Sequence, residues 1–251
     1  MKSIKMFAAM LLLLIAAAVF SACGRNETVT EEPVATDTIE SSGPVVVFVL
    51  PPYSTDGDMS VEMALAARRS RRNFQDRAIS AEQLSQILWA AYGVTSPSPH
   101  PQFRGGLRTT PSAGGTFPLE VYVIVGNVEG IEPGVYRYIS ANHTLVQVVR
   151  GDVREQVGAA AVGQTWASAA PVSLFYSAIF SRTTDIYGER GTRYVYMEVG
   201  HSAQNVHLQV EALGLGTVVI AAFFDNMMRE ILNLPEDEVP LYLMPIGYFY
   251  E

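Results

Sequence analysis

The stretch that decides the fold is Arg68-Arg69-Ser70-Arg71-Arg72-Asn73-Phe74, which holds four of the fifteen arginines of the chain. It follows an apolar, helix-like stretch over residues 61–65. Because four like charges packed this closely repel one another, an ordered form of the segment needs an anionic partner. The planar guanidinium groups and the neighbouring Ser70 hydroxyl suit a phosphate. A solvated basic patch, or a patch for nucleic acid or lipid headgroups, is the alternative.

The rest of the chain is acidic and almost without lysine. Its 251 residues are 49% hydrophobic and 17% charged, so it can bury the core of one domain of ordinary size. Both lysines, Lys2 and Lys5, precede Cys23, and the chain from Cys23 onward has 15 arginines against 25 acidic residues, a net charge of −10. This balance argues against nucleic acid as a general partner. The lack of lysine excludes Schiff-base and lysine general-base chemistry from the processed chain.

The first residues have the pattern of an export signal. Lys2 and Lys5 precede an apolar run over residues 7–20 that is too short for a comfortable membrane span. Cys23, the only cysteine, is placed like the acylated cysteine of a bacterial lipobox; a structural cysteine in a membrane anchor is the alternative. We predict a cell-envelope protein, lipid-anchored at the extracytoplasmic face of a bacterial membrane, with a signal peptide over 1–22, a lipidated Cys23 that opens a flexible tether over 23–44, and a folded domain over 45–251.

Helix and strand signals are mixed along the domain. Ser80 and Gln83 form a capping box before a helix that ends at Gly93, and a second, long helix is predicted over 194–213. Asp152 and Asp225 are predicted to cap two shorter helices. Strands are predicted over 45–50, 119–125, 135–139, 144–149, 171–176, 217–222 and 241–249, and a long loop over 94–118. The pattern predicts an α+β fold with helices packed on a central, mostly antiparallel or mixed sheet.

Several well-known catalytic motifs are absent from the sequence. It contains no GxxxxGKS/T loop and no GxGxxG turn that opens a helix after a strand. The four histidines lack metal-ligand spacing such as HExxH, so no metal site is predicted. No GxSxG elbow is present and Ser112 has no recognisable histidine partner, which leaves a serine hydrolase weakly supported.

Two further segments accompany the arginine cluster. They are Pro111-Ser112-Ala113-Gly114-Gly115-Thr116-Phe117-Pro118-Leu119-Glu120 and Gly214-Leu215-Gly216-Thr217, the latter continuing to Ala221-Ala222-Phe223. Together with residues 68–74, in this order and spacing, they resemble the three flavin segments of the FMN-dependent nitroreductase superfamily. The resemblance covers residues 50–251 and is closest to the branch that includes the azoline dehydrogenases of thiazole and oxazole peptide biosynthesis.

The resemblance implies a nitroreductase-like fold and a homodimer with FMN at its interface. It implies that the arginine cluster grips the flavin phosphate, that the glycines of the second segment allow close approach of the ring, and that the backbone at Ala221 and Ala222 lies near flavin N5. Arg71 would point to another face and serve only solubility. The cofactor contacts implied are Arg68, Arg69, Ser70, Arg72, Pro111, Ser112, Ala113, Gly114, Gln164, Arg193, Gly216, Ala221 and Ala222.

The chain departs from the family pattern at two places. Azoline dehydrogenases carry a Lys-Tyr pair where this chain has Ile186-Tyr187, which argues against thiazole or oxazole formation. Tyr187 is still expected to border a substrate pocket, in a loop over 180–190. Many nitroreductases hold the phosphate with basic residues near the C-terminus, whereas residues 247–251 contain none, so that task falls to the arginine cluster.

Two functions follow from these observations. The favoured one is an FMN-dependent oxidoreductase that passes hydride from NAD(P)H or another donor, through flavin N5, to a small nitroaromatic, quinone or enone. No acid-base triad is expected, because the hydride chemistry belongs to the cofactor. The alternative is a lipid-anchored binding protein that holds a phosphorylated ligand in the same basic pocket without redox turnover.

Overall fold

The computed structural model describes residues 46–75 and 77–250. The predicted signal peptide, Cys23 and the tether over 23–44 lie outside these residues. Within the described part of the chain, no helix is both long enough and apolar enough to cross a membrane.

An antiparallel sheet of seven strands forms the centre of the domain. The described strands are β1 (Val47–Val49), β2 (Val94–Ser98), β3 (Gly105–Arg108), β4 (Leu119–Val125), β5 (Gly134–Ile139), β6 (Thr144–Arg150), β7 (Val172–Ala178), β8 (Gly216–Thr217) and β9 (Val239–Gly247). The sheet order is β1-β6-β5-β4-β7-β9-β8, and all of these pairs are antiparallel. Strands β4 and β7, which are buried along almost their whole length, are neighbours in the middle of the sheet, as expected of strands covered on both faces.

Helices of the described chain cover this sheet. They are α1 (Val61–Ala67), α2 (Ala81–Tyr92), α3 (Arg154–Ala160), α4 (Thr165–Ala169), α5 (Ser181–Tyr187), α6 (Gly191–Ala212) and α7 (Asp225–Ile231). The predicted capping box is present at α2: the Ser80 hydroxyl accepts from the Gln83 amide, and the Gln83 side chain accepts from the Ser80 amide. Both bonds satisfy amides that a helix start leaves free, which fixes where α2 begins.

Two hydrophobic clusters lie against opposite faces of the sheet. Residues of β4 alternate between them: Val121 and Val123 join the cluster with α2 and α6, while Tyr122 and Ile124 join the cluster with α3 and α7. The sequence of the long helix predicts a buried stripe of Val195, Val199, Val206, Val210 and Leu213; the four valines are buried and Leu213 is half-buried. The α+β class and the central sheet flanked by helices are therefore confirmed.

The region predicted as a long loop over 94–118 contains a hairpin. β2 and β3 pair antiparallel as a separate two-stranded sheet, and short 3-10 turns follow at Pro101–Phe103 and Ala113–Gly115. The proline and glycine content hid the pairing, since both residues are uncommon in strands but are tolerated in a short edge hairpin. Only residues 109–118 remain largely irregular, and they carry the second of the three segments.

Other predicted boundaries also need correction. The predicted loop over 180–190 is helical, as α5 and a 3-10 turn. The strand predicted over 217–222 ends at Thr217 as β8, with only an isolated bridge from Ile220 to Leu243 beyond it. Asp152 and Asp225 do not occupy N-cap positions, which fall at Val153 and Phe224.

The first helix exposes its apolar side chains. Val61, Met63 and Leu65 of α1 are 51 to 63% exposed, while Ala64 is buried. Its N-cap is Ser60, whose hydroxyl accepts from the Met63 amide. The helix-like stretch before the arginine cluster is thus a true helix, but its large apolar residues do not enter the core of this chain.

Candidate active site

The first and third segments meet at the edge of the central sheet. Ser70 forms a parallel bridge with Thr217, and the Arg71 amide donates to the Thr217 carbonyl at 2.9 Å. Further along the same stretch, Phe74 bridges to Phe249 near the C-terminus. The arginine segment is therefore an extended strand-like piece laid beside the Gly-Leu-Gly-Thr turn.

Arg71 is half-buried in this junction, so the prediction that it serves only solubility is wrong. Its guanidinium carbon lies 4.3 Å from the centre of the Phe249 ring. A Cβ atom added to Gly216 would come within 2.7 Å of the Arg71 side chain and 2.8 Å of Phe249, so the third segment needs glycine at this position. Two buried polar atoms of the junction, Arg71 Nε and Thr217 Oγ1, have no hydrogen-bond partner within the described residues.

The other arginines of the cluster face away from the junction. Arg68 is the half-buried C-cap residue of α1, and Arg69 and Arg72 are exposed, as is Ser70. The Arg69 guanidinium donates to the carbonyls of Ala66 and Arg68, at 3.0 and 2.7 Å. Three cations and a hydroxyl on five consecutive residues are thus at least partly open to solvent, and all four groups are donors that suit an anion.

The second segment forms a tight turn under Tyr187. Gly114 and Gly115 have φ values of 60° and 67°, which favour glycine. A Cβ atom on Gly114 would lie 2.5 Å from the Tyr187 hydroxyl, and one on Gly115 would lie 2.7 Å from the Phe103 ring. The Gln102 side chain also donates to the Gly114 carbonyl. The backbone of this turn is therefore packed too closely for a side chain on either glycine.

Tyr187 is placed in an exposed cluster at the start of α6. Its ring packs edge-on against Tyr194 at 5.2 Å, and Arg190 Nε donates to the Tyr194 hydroxyl at 3.2 Å. The side chain is 38% exposed and adjoins the Gly114 turn. Its predicted position beside a substrate pocket is compatible with this placement, and the neighbouring Ile186 is 57% exposed.

Ser112 connects the second segment to a buried glutamate. The Phe117 amide donates to Ser112 Oγ at 2.9 Å, and the Ser112 side chain lies close enough to Glu198 to lower the pKa of its carboxyl group. Glu198 is only 2% exposed and accepts from the Tyr92 hydroxyl at 2.6 Å. Burial raises the pKa of Glu198 to about 7, although the bonds from Ser112 and Tyr92 oppose the rise. Neither Glu198 nor Tyr92 was singled out from the sequence; a glutamate within the apolar stripe of a helix was the available signal.

The remaining predicted residues lie at several places. The Gln164 side chain donates to the Ala222 carbonyl at 3.3 Å, so it reaches the third segment directly. Ala221 and Ala222 are exposed, as is Pro111, and Ala113 is half-buried in its 3-10 turn. Arg193 is exposed near the start of α6. The fold thus unites the first segment, the third segment and Gln164, while the second segment packs on Tyr187, Tyr92 and Glu198.

No group of three or more histidine, cysteine, aspartate or glutamate side chains in residues 46–75 and 77–250 is arranged to hold a metal ion. Among these residues, His143 is the histidine with hydrogen bonds at both ring nitrogens, to Ser85 and Tyr138. Those partners tie α2 to the β5–β6 hairpin and make a structural contact.

The chain is similar to known proteins in both sequence and structure. Residues 65–248 match the sequence model described as the Nitroreductase family. A protein of Methanocaldococcus jannaschii named provisionally as the nitroreductase MJ1384 is 46% identical over 190 residues, which are 76% of this chain and 91% of that protein. The crystal structure of a protein from Ralstonia eutropha, also named provisionally as a nitroreductase, superposes with a TM-score of 0.68 at 30% identity, covering 82% of this chain and 90% of that one.

A more distant relative has a processing role in its name. The microcin B17-processing protein McbC of Escherichia coli is 28% identical over 183 residues. The match covers 70% of this chain and 65% of McbC.

Proposed function

Because this chain belongs to the nitroreductase family, we propose that it is an FMN-dependent oxidoreductase acting on a small organic acceptor. The observation that carries the proposal is the junction of the first and third segments, where Ser70 and Arg71 pair with Thr217. It gathers three outward-facing arginines and a hydroxyl beside a glycine turn, which is the chemistry that a phosphate monoester needs.

The residues at this junction fit the phosphate end of FMN. Arg68, Arg69, Arg72 and Ser70 would hold the phosphate, with guanidinium and hydroxyl donors together. The buried Arg71 Nε and Thr217 Oγ1, which lack partners among the described residues, support a site completed by a further polar group. Among residues 247–250, the Phe249 ring packs against the Arg71 guanidinium, and none of these residues is a cation.

The ring end of the cofactor fits the glycine turn of the second segment. Gly114 and Gly115 present backbone without side chains, and Gln164 would steady the Ala222 carbonyl at the other side. Since the second segment packs away from the arginine cluster, we propose that the site is completed by a homodimer in which that turn serves the partner's cofactor. The exposed apolar residues of α1, together with Tyr196 and Met197 of α6, support such an interface.

When bound, FMN would supply hydride transfer at N5, with NAD(P)H or another reductant as donor. The chain's own part is to bind and orient. Tyr187, packed on the Gly114 turn and partly exposed, would border the acceptor and offer its hydroxyl as a hydrogen-bond donor. With Ile186 in place of a lysine, the chain lacks the Lys-Tyr pair of the azoline dehydrogenases at this position, so we propose reduction of a nitroaromatic, quinone or enone rather than the peptide processing named for McbC.

We also propose a location at the cell envelope. The lysine-flanked apolar run and Cys23 support export and lipid anchoring through that cysteine. Cys23→Ala is expected to abolish incorporation of radiolabelled palmitate. If the variant were labelled as strongly as the parent, lipid anchoring through Cys23 would be contradicted. The function proposed for the folded domain would not be affected.

The flavin content of the purified full chain tests the proposed activity. We expect a yellow protein that bleaches on addition of NADPH or dithionite and recovers with a quinone or nitroaromatic acceptor. A colourless protein that takes up no FMN, yet binds inorganic phosphate at the arginine cluster, would contradict the oxidoreductase and support a phosphorylated-ligand binding protein.

A further inference from the structure

The loop that carries the glycine turn is fastened to α6 by a buried polar network. Two amides of the loop donate to hydroxyl groups: Phe117 to Ser112 Oγ at 2.9 Å, and Leu119 to the Tyr92 hydroxyl at 3.4 Å. The Tyr92 hydroxyl then donates to the carboxylate of Glu198 at 2.6 Å, and the Ser112 hydroxyl lies close enough to this carboxylate to lower its pKa. The carboxylate therefore faces both hydroxyls that accept from the backbone of the second segment.

The same face of α6 holds the beginning of the loop. Ser202 and Asn205 follow Glu198 at positions i+4 and i+7, so the three side chains point in one direction. Asn205 donates to the Thr109 carbonyl at 3.3 Å and to the Thr110 hydroxyl at 3.2 Å. Ser202 donates to the carbonyl of Ala91 at 2.7 Å, to which Thr110 also donates. Packing alone does not explain why α6, a helix that faces the core, carries these three polar residues on one side.

We propose that Glu198 is a positioning residue of the flavin site, which holds residues 109–119 in the conformation that presents the Gly114 turn to the cofactor. The inference rests on the proposed function. Glu198 itself is 2% exposed and lies behind the loop, so it acts through Ser112 and Tyr92 and not by touching the cofactor.

The network works best with Glu198 ionised. A carboxylate accepts from both hydroxyls, whereas a protonated carboxyl group must use one oxygen as a donor. The groups that face it are Tyr92 from α2, Ser112 from the loop and Arg108 from β3. The Arg108 guanidinium lies over the Tyr92 and Phe117 rings at 4.5 and 4.2 Å and supplies a compensating positive charge.

The chain contains a matched control. Glu238 is 1% exposed and likewise accepts from a tyrosine and a serine, with the Tyr122 hydroxyl at 3.0 Å and Ser177 as the second donor. Tyr122 belongs to the cluster on the opposite face of the sheet from Tyr92. Glu238→Gln therefore removes a chemically similar buried charge whose side-chain hydrogen bonds do not reach the loop over residues 109–119.

The experiment compares the FMN dissociation constants of the full chain, Glu198→Gln and Glu238→Gln. We expect Glu198→Gln to weaken FMN binding by about tenfold or more, because charge-assisted bonds to the loop are lost, and Glu238→Gln to change it by less than about twofold. Equal affinity of Glu198→Gln and parent would overturn the proposal.

Hydrogen exchange of the cofactor-free proteins supplies the second readout. Amides of residues 112–119 should exchange faster in Glu198→Gln than in the parent or in Glu238→Gln; equal exchange would overturn the proposal. If Glu198→Gln fails to fold, Tyr92→Phe removes one relay alone and should raise exchange at Leu119. A parent that takes up no FMN would reject the proposed cofactor, while faster exchange in Glu198→Gln would still show that Glu198 fastens the loop.

Discussion

At the scale of single residues, the site depends on which arginine points where. Arg71 is held inward against Phe249 and Gly216, while Arg68, Arg69 and Arg72 remain available to an anion. Arg71 thus packs in the junction, and the other three arginines are the candidates for binding an anion. Alternation along an extended segment accounts for Arg68 and Arg72 facing away from Arg71, whereas Arg69 turns back to the carbonyls of Ala66 and Arg68.

Removal of two outward arginines should release the cofactor. The double variant Arg68→Ala, Arg72→Ala is expected to lose most of its bound FMN, since each charge-assisted phosphate contact contributes about 1.5 to 3 kcal/mol. It should remain folded and keep a cooperative unfolding transition. Flavin occupancy and circular dichroism of the purified variant measure both effects. Arg77→Ala, an exposed arginine stacked on Tyr248 outside the cluster, is the control and should retain flavin. Equal occupancy in the double variant and the parent would contradict the assignment.

The glycine turn gives a second prediction at this scale. Gly114 and Gly130 both have positive φ, but a Cβ on Gly114 would meet the Tyr187 hydroxyl, whereas nothing lies within 4 Å of one on Gly130. Alanine at either position should cost about 1 kcal/mol of stability through backbone strain. Only Gly114→Ala should also lower FMN affinity, measured by flavin fluorescence. Similar affinities in the two variants would show that the turn is not part of the flavin site.

At the scale of elements, a buried histidine joins α2 to the β5–β6 hairpin. Ser85 Oγ donates to the Pro51 carbonyl at 2.6 Å, so it accepts from Nε2–H of His143, and Nδ1 accepts from the Tyr138 hydroxyl at 2.8 Å. This arrangement requires the neutral imidazole. Burial accordingly lowers the pKa of His143 below its ordinary value of 6.5.

The link between α2 and the hairpin should weaken in acid. A histidine whose folded-state pKa is depressed contributes stability at neutral pH that is lost as pH falls through its unfolded value, because the unfolded chain then binds the proton more readily. We expect the parent to lose more thermal stability than His143→Asn between about pH 7.5 and about pH 5.5. Asparagine tolerates the φ of 55° at this position, so the variant removes the imidazole without adding backbone strain. If the melting temperatures of the two proteins fell equally between these pH values, the argument would be contradicted.

At the scale of the whole molecule, two apolar surfaces lack cover within the described chain. The large side chains of α1 and the pair Tyr196 and Met197 on α6 are more than half exposed, and α1 packs on α6. Exposed apolar surface of this kind is typical of an interface. The proposed homodimer needs such an interface for the second segment of one copy to meet the cofactor of the other.

Charge placed on that surface should separate the copies. Met197→Asp is expected to shift the protein from dimer to monomer in analytical ultracentrifugation and to lower flavin occupancy with it, because a carboxylate cannot be buried unpaired at an interface. Val49→Asp, at the 72% exposed position of the edge strand β1, is the control and should leave both unchanged. A Met197→Asp variant that stays dimeric and yellow would place the interface elsewhere.

Local sequence determined much of the element structure and the family. The capping box at Ser80 fixed the start of α2, and the apolar run of β4 marked a strand covered on both faces, because both signals act between close neighbours in the chain. The order of the three segments was enough to indicate the nitroreductase family, which the match over residues 65–248 then confirmed.

Only the tertiary structure decided how distant residues meet. The hydrogen bond between Tyr92 and Glu198 joins residues 106 positions apart in the sequence, and that between Gln164 and Ala222 joins residues 58 apart. No local sequence pattern could predict either contact. Arg71 turned inward because Phe249, at the far end of the chain, lies beneath it. The hairpin of β2 and β3 formed despite its prolines and glycines, since the pairing of an edge hairpin depends on its partner strand more than on intrinsic propensity. Hydrogen bonding and burial act through space, and the fold alone sets which side chains are neighbours there.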